Sequence, residues 1–188
     1  MDQHELLKYV AQTLDRLMIP YYVTGSFAGI LFGEYRMTND IDIVVDIRAE
    51  QLDALLEAFP PQQFYVDRDA ALDAVRTRFQ FNLIHRDSLA KVDFIVSPGS
   101  SHHRETMRRV HRFRGTIDYD IAYCAPEDLI LNKLLFFKES ASEKHMRDVA
   151  GILKKSAATL DMTYLENWAD WLDVLKPLRE AQRRALED

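Results

Sequence analysis

Cysteine is all but missing from this chain of 188 residues. Cys124 stands alone, which excludes an intramolecular disulfide and any cysteine-rich zinc site, and it reads as a small buried hydrophobe. Long apolar runs are missing as well, so no bilayer-spanning helix is expected. The opening MDQHELLKYV lacks the basic-then-apolar order of a secretory signal. A cytoplasmic protein without a membrane partner is expected. Excess positive charge is also lacking: the net charge is -6, which argues against a surface that coats nucleic acid by neutralising phosphates. The six histidines are scattered, with no characteristic zinc spacing. Repeats and low-complexity tracts are absent too.

What is present describes an ordinary folded chain, 47% hydrophobic and 29% charged, long enough for one domain with an appended helical part. HELLKYVAQTLDRLMI has apolar residues at helical spacing up to Pro20. YYVTGS is a short strand, after which Ser26 is expected to cap a helix over FAGILFGEY. DIDIVVDI alternates with period two, Ile41, Ile43, Val45 and Ile47 against Asp40, Asp42, Val44 and Asp46, as a strand does. Two helices follow, AEQLDALLEAF and DAALDAVRTR. Then FQFNLIH and KVDFIV, separated by RDSLA, read as a strand pair of hairpin-like length. Beyond Pro98 and Gly99 the chain turns helical apart from a short extended IAYCA. The fold class is therefore α+β: a small mixed β-sheet flanked by helices over 1–125, then a C-terminal helical bundle over 126–188 packed on that core.

Three acids thread the strand after Gly25 and Ser26. Side chains alternate across a strand, so Asp40 and Asp42 share a face, roughly 6–7 Å apart along the chain. Two ionised carboxylates so close repel, and a divalent cation between them removes the difficulty. Asp93, in KVDFIV, joins them if its strand is a neighbour. Such a trio suits two Mg2+ ions, with Mn2+ as a substitute: one ion activates a hydroxyl and the other holds a triphosphate. Gly25 lets backbone approach a phosphate, and amides at the start of the next helix face the anion with the Ser26 hydroxyl. Arg36, in RMTND, is placed to reach a phosphate from the loop before the strand. Asp46 lies further along and reads as a solvent-facing acid. The acids begin their strand, unlike those of aspartate-nucleophile phosphatases, which end one. A calcium loop of the EF-hand kind lacks its glycine and glutamate, and VTGSFAG lacks the frame of a serine-hydrolase elbow.

The order Gly25-Ser26, short helix, Asp40-Ile41-Asp42 and later Asp93 resembles the nucleotidyltransferase superfamily related to DNA polymerase beta. PEDLILNKLLFFKES with EKHMRDVAGIL is similar to the small bacterial members grouped with AbiEii-type toxins. Together the matches cover about 20 to 155. The resemblance implies transfer of a nucleoside monophosphate from an NTP, ATP among them, to a hydroxyl with release of pyrophosphate. It implies phosphate binding at Gly25 and Ser26 and metal binding and catalysis at Asp40, Asp42 and Asp93. It further implies a nucleotide contact at Lys133 with Asp148 as its supporting group, and a toxin–antitoxin setting with a cognate antitoxin as partner. A departure is that Phe27 and Ala28 follow Gly25-Ser26 where toxin-like members often carry a basic residue. An RNA end, a protein side chain and a small molecule all suit the site as acceptor. The arginines at 104, 108, 109, 112 and 114, of which Arg104, Arg108 and Arg112 share a face if helical, tilt the choice towards RNA. The competing reading is a catalytically inactive binding module or partner protein on the same fold.

Overall fold

Helix α1 (Gln3–Arg16) begins where two side chains satisfy each other's backbone amides. Asp2 accepts from the Glu5 N–H at 2.9 Å and Glu5 accepts from the Asp2 N–H at 2.8 Å, a reciprocal cap that fixes the helix start. The computed structural model describes residues 1–32, 40–114 and 118–187. Along them α1 is followed by β1 (Tyr21–Val23), α2 (Gly25–Leu31), β2 (Asp40–Val45), α3 (Ala49–Glu57), β3 (Phe64–Tyr65), α4 (Arg68–Thr77), β4 (Gln80–His85) and β5 (Lys91–Val96). Then come α5 (Ser101–Arg108), β6 (His111–Phe113), β7 (Ile121–Tyr123), α6 (Pro126–Ser140), α7 (Glu143–Ser156), α8 (Met162–Trp171) and α9 (Leu175–Glu187). No described helix is long and apolar enough to cross a membrane.

The strands form one mixed sheet in the order β3-β4-β5-β2-β1-β7-β6. β2 lies parallel to β5 and β1 parallel to β7, while the remaining neighbours are antiparallel. The fold is α+β, as the alternation of helical and strand patterning implies. Among the described residues, 1–24 and 40–123 make one compact unit, and 25–32 with 124–187 make the other.

The first unit contains the whole sheet. One of the sheet's faces buries Ile41, Ile43 and Val45 from β2, Val92, Phe94 and Val96 from β5, and Phe81 and Leu83 from β4. Aromatic rings run on from that face: Phe81 stacks on Phe94 at 5.0 Å, Phe94 lies 6.4 Å from Phe59, and Tyr9 stacks on Phe64 at 5.6 Å. Burial of this kind contributes about 25 cal/mol per Å2 of apolar surface. It also pins the register, because a slip of one residue would exchange the two faces.

The second unit is helical. α6 starts with Pro126 at its first position, where the missing N–H is no loss, followed by Glu127 and Asp128, whose charges suit a helix N-terminus. Both acids are buried and used: Glu127 accepts from the Asp161 N–H at 2.8 Å, and Asp128 from the Tyr164 hydroxyl at 2.7 Å. The start of α8 is thereby tied to the start of α6.

Two local expectations differ, and two features have no counterpart among them. Ser26 lies inside the first turn of α2, which begins at Gly25 with φ of +64°, so it is not the cap. The arginine-rich segment is not one helix: α5 ends at Arg108, and His111–Phe113 is a strand paired with β7. Arg112 therefore does not share a helical face with Arg104 and Arg108. β3 is a two-residue strand paired with β4. The last helical region is broken between Trp171 and Leu175, where Asp173 takes a left-handed φ of +56°.

Candidate active site

Because β2 and β5 run parallel and side by side, Asp42 is the register partner of Asp93 and Asp40 that of Lys91. Register partners on neighbouring strands point to the same face, and so do alternate residues within a strand. Asp40, Asp42, Lys91 and Asp93 consequently form a two-by-two block on one face of the sheet. Asn82 of β4, opposite Asp93, continues the face on the side away from β2. The opposite face carries Ile41, Ile43, Val92 and Phe94, all buried, which holds the acids in place from beneath. Adjacent strands are about 4.8 Å apart, so the Asp42 and Asp93 side chains leave the sheet side by side.

Lys91 was not singled out by the sequence reading, although KVD has the same period two that selected Asp93. Its ammonium lies 3.1 Å from Asp93 Oδ2 and 3.4 Å from Asp40 Oδ1. Burial opposes its charge, but the hydrogen bonds and charges of Asp93 and Asp40 outweigh this and hold its pKa above the usual lysine value. Asp93 Oδ1 is buried with no hydrogen-bond partner among the described residues, a costly arrangement for a carboxylate oxygen. Oxygen donors of this kind are what Mg2+ and Mn2+ take, and the Lys91 ammonium shows that a cation is accommodated between Asp40 and Asp93. The donor chemistry fits a divalent ion. As the side chains stand, however, no group of three or more His, Cys, Asp or Glu among the described residues is arranged to cage one.

The Thr24 N–H donates to the Asp42 carbonyl at 2.9 Å, so the chain leaves β1 level with Asp42, and Gly25 and Ser26 are its next residues. Arg36 lies outside the described residues. In the second unit the Lys133 ammonium donates to Asp148 Oδ2 at 2.6 Å, with both side chains buried, an α6–α7 pair. Asp46 is exposed and 3.6 Å from Arg78.

The arginines between 104 and 114 have protein partners. Arg104 reaches the Gly99 carbonyl and Ser101, Arg108 lies 3.4 Å from Glu105, and Arg114 donates to Asp120 at 3.0 Å. Arg112 forms a two-pronged pair with Asp15 at 2.6 and 3.1 Å, and Tyr119 donates to the same carboxylate at 2.7 Å. Burial works to raise the Asp15 pKa, yet the Arg112 and Tyr119 hydrogen bonds prevail and hold it below the usual carboxylate range.

No protein-family model and no curated protein sequence matches the chain. Solved structures do. An antigenic nucleotidyltransferase-like protein from Paracoccidioides brasiliensis is 18% identical with a TM-score of 0.58, covering 94% of this chain and 92% of its own. The antibiotic-resistance factor ANT(2'')-Ia is 16% identical with a TM-score of 0.55 over 98% and 95% of the two chains. The lincosamide antibiotic adenylyltransferase LnuA, solved with lincomycin, is 13% identical with a TM-score of 0.52 over 79% and 94%. At these identities the likeness is one of architecture. With a mixed sheet that sets Asp42 beside Asp93, the chain has the nucleotidyltransferase fold.

Proposed function

We propose that the protein is a metal-dependent nucleotidyltransferase that moves a nucleoside monophosphate from an NTP to a hydroxyl and releases pyrophosphate. The observation that carries this reading is the register of β2 on β5, which brings Asp40, Asp42 and Asp93 to one face. In the proposal these carboxylates hold divalent ions, Mg2+ or Mn2+, which when bound supply charge neutralisation for the triphosphate and acidity for the acceptor hydroxyl. Asp93, one of whose oxygens has no partner among the described residues, accepts the acceptor's proton as the base. Gly25 and Ser26 are assigned to the phosphates, together with Arg36. Lys133 is assigned to the nucleotide, oriented by Asp148. The hydroxyl oxygen forms the new bond to the α-phosphorus, and the bond to the bridging oxygen of pyrophosphate breaks.

For the acceptor, a small hydroxyl-bearing molecule is placed ahead of RNA. Three of the five arginines that favour RNA, Arg108, Arg112 and Arg114, are engaged with Glu105, Asp15 and Asp120. Two of the structural neighbours are an antibiotic-resistance factor and a lincosamide adenylyltransferase. Incubation with each labelled NTP, Mg2+ and either total RNA or the small-molecule fraction of a cell extract tests both points. Label in small molecules, lost in Asp42→Ala, is expected; no transfer from any NTP to either fraction removes the enzymatic reading. The toxin setting rests on the resemblance alone, and growth unaffected by expression of the active chain would remove it.

One observation favours the inactive binding module. The repulsion among the acids, which argues for a metal, is partly relieved within the chain by Lys91. Calorimetric titration with Mg2+ separates the readings: binding that disappears in Asp42→Ala supports the enzyme, and no binding in the wild type supports the module.

A further inference from the structure

Lys91 sits where a cation is wanted. Its ammonium is shared by Asp40 at 3.4 Å and Asp93 at 3.1 Å. The same two carboxylates are assigned above to the divalent ions, and two positive charges cannot use the same oxygens without strong repulsion. The lysine side chain is 29% exposed at the first residue of β5, and its stem is four flexible carbons. A path for the ammonium into solvent is therefore open, while the backbone beneath is fixed by its pairing with β2.

We propose that Lys91 is a resident counter-ion of the carboxylate cluster, one that a divalent cation displaces on binding. This rests on the metal-site reading of Asp40, Asp42 and Asp93. In this arrangement Lys91 acts as a positioning residue. It holds the acids at their strand spacing before the metal arrives, and it weakens metal binding by competing for the same oxygens. It also accounts for the failure of the three carboxylates to form a cage as they stand, because the ammonium occupies the place between two of them.

The test is Mn2+ binding to the full chain, measured by calorimetry and by the electron paramagnetic resonance of free Mn2+, in the wild type, Lys91→Met, Lys91→Gln and Lys91→Arg. Removing the ammonium is expected to tighten Mn2+ binding by at least about tenfold, whereas Lys91→Arg, which keeps a cation there, stays near the wild type. Without metal the two neutral variants should melt below the wild type, and Mn2+ should raise their melting temperature by more. Lys91→Gln, which can still hydrogen-bond the acids, keeps the comparison available if Lys91→Met does not fold. Equal or weaker Mn2+ affinity in the neutral variants, with wild-type binding that Asp42→Asn abolishes, overturns the role of Lys91 and leaves the metal site intact. If no variant binds Mn2+, or if Asp42→Asn changes nothing, the metal site itself is refuted and the role of Lys91 falls with it.

Discussion

At Asp93 one carboxylate oxygen meets an ammonium and the other is buried without a partner among the described residues. Asparagine at this position keeps the shape but loses the charge and the ability to take a proton. Asp93→Asn is accordingly expected to lower turnover by at least about a hundredfold while NTP binding, measured separately, changes little. Normal turnover in that variant would remove the base assigned here. Lys133 and Asp148 present a different case, since each buried charge depends on the other. Lys133→Ala should cost about 3–5 kcal/mol in denaturant unfolding because Asp148 is left buried and uncompensated. Replacing both, as Lys133→Met with Asp148→Leu, should recover most of that loss. A single variant as stable as the wild type would show that Asp148 finds water.

Among the elements, α9 has a pH dependence that can be written down. Glu180 accepts from Arg183 at 2.7 Å and from Arg184 at 2.8 Å, and these bonds lower its pKa from 4.5 to about 2. Arg184 also reaches Glu143 of α7 at 2.6 Å. A carboxyl whose pKa is depressed on folding adds stability that is fully present above its unfolded value and is lost as pH falls through the folded one. Protection of the α9 amides, with the intrinsic pH dependence of exchange divided out, is therefore expected to fall between about pH 4.5 and pH 2, and Glu180→Gln should flatten that fall. An unchanged profile in the variant would place the effect elsewhere. Period two in DIDIVV and KVDFIV made β2, β5 and the acidic face legible in the sequence. Lys91 was missed because a lysine opening a strand reads as a solvated end. β6 was missed because Arg104, Arg108 and Arg112 recur at helical spacing, and only pairing with β7, the next element, makes a strand of exposed residues. The break before α9 occurs without glycine, at Asp173, and its one local signal is Pro177 in the first turn of α9. Sheet order was equally illegible, since it depends on contacts between segments far apart in the chain.

For the molecule as a whole, charge decides what it avoids. The net charge of -6 and the pairing of Arg112 and Arg114 with Asp15 and Asp120 leave little surface for phosphate neutralisation. RNA binding is expected to be weak at 150 mM salt. Replacing Arg104, Arg108 and Arg109 by glutamine should leave transfer to a small acceptor nearly unchanged. A steep salt dependence of RNA binding, lost in that triple variant, would restore RNA as the acceptor.

The adjacency of β2 and β5 bears on how the chain comes into being. Their pairing spans α3, β3, α4 and β4, and closing so large a loop is slow because its entropy is lost before the contact forms. A polypeptide still emerging from the ribosome, with β2 made and β5 not yet free, has Asp40 and Asp42 but neither Asp93 nor the compensating ammonium. On the proposed reading, activity at this cluster waits for long-range assembly, and chains that end before β5 are expected to be inactive.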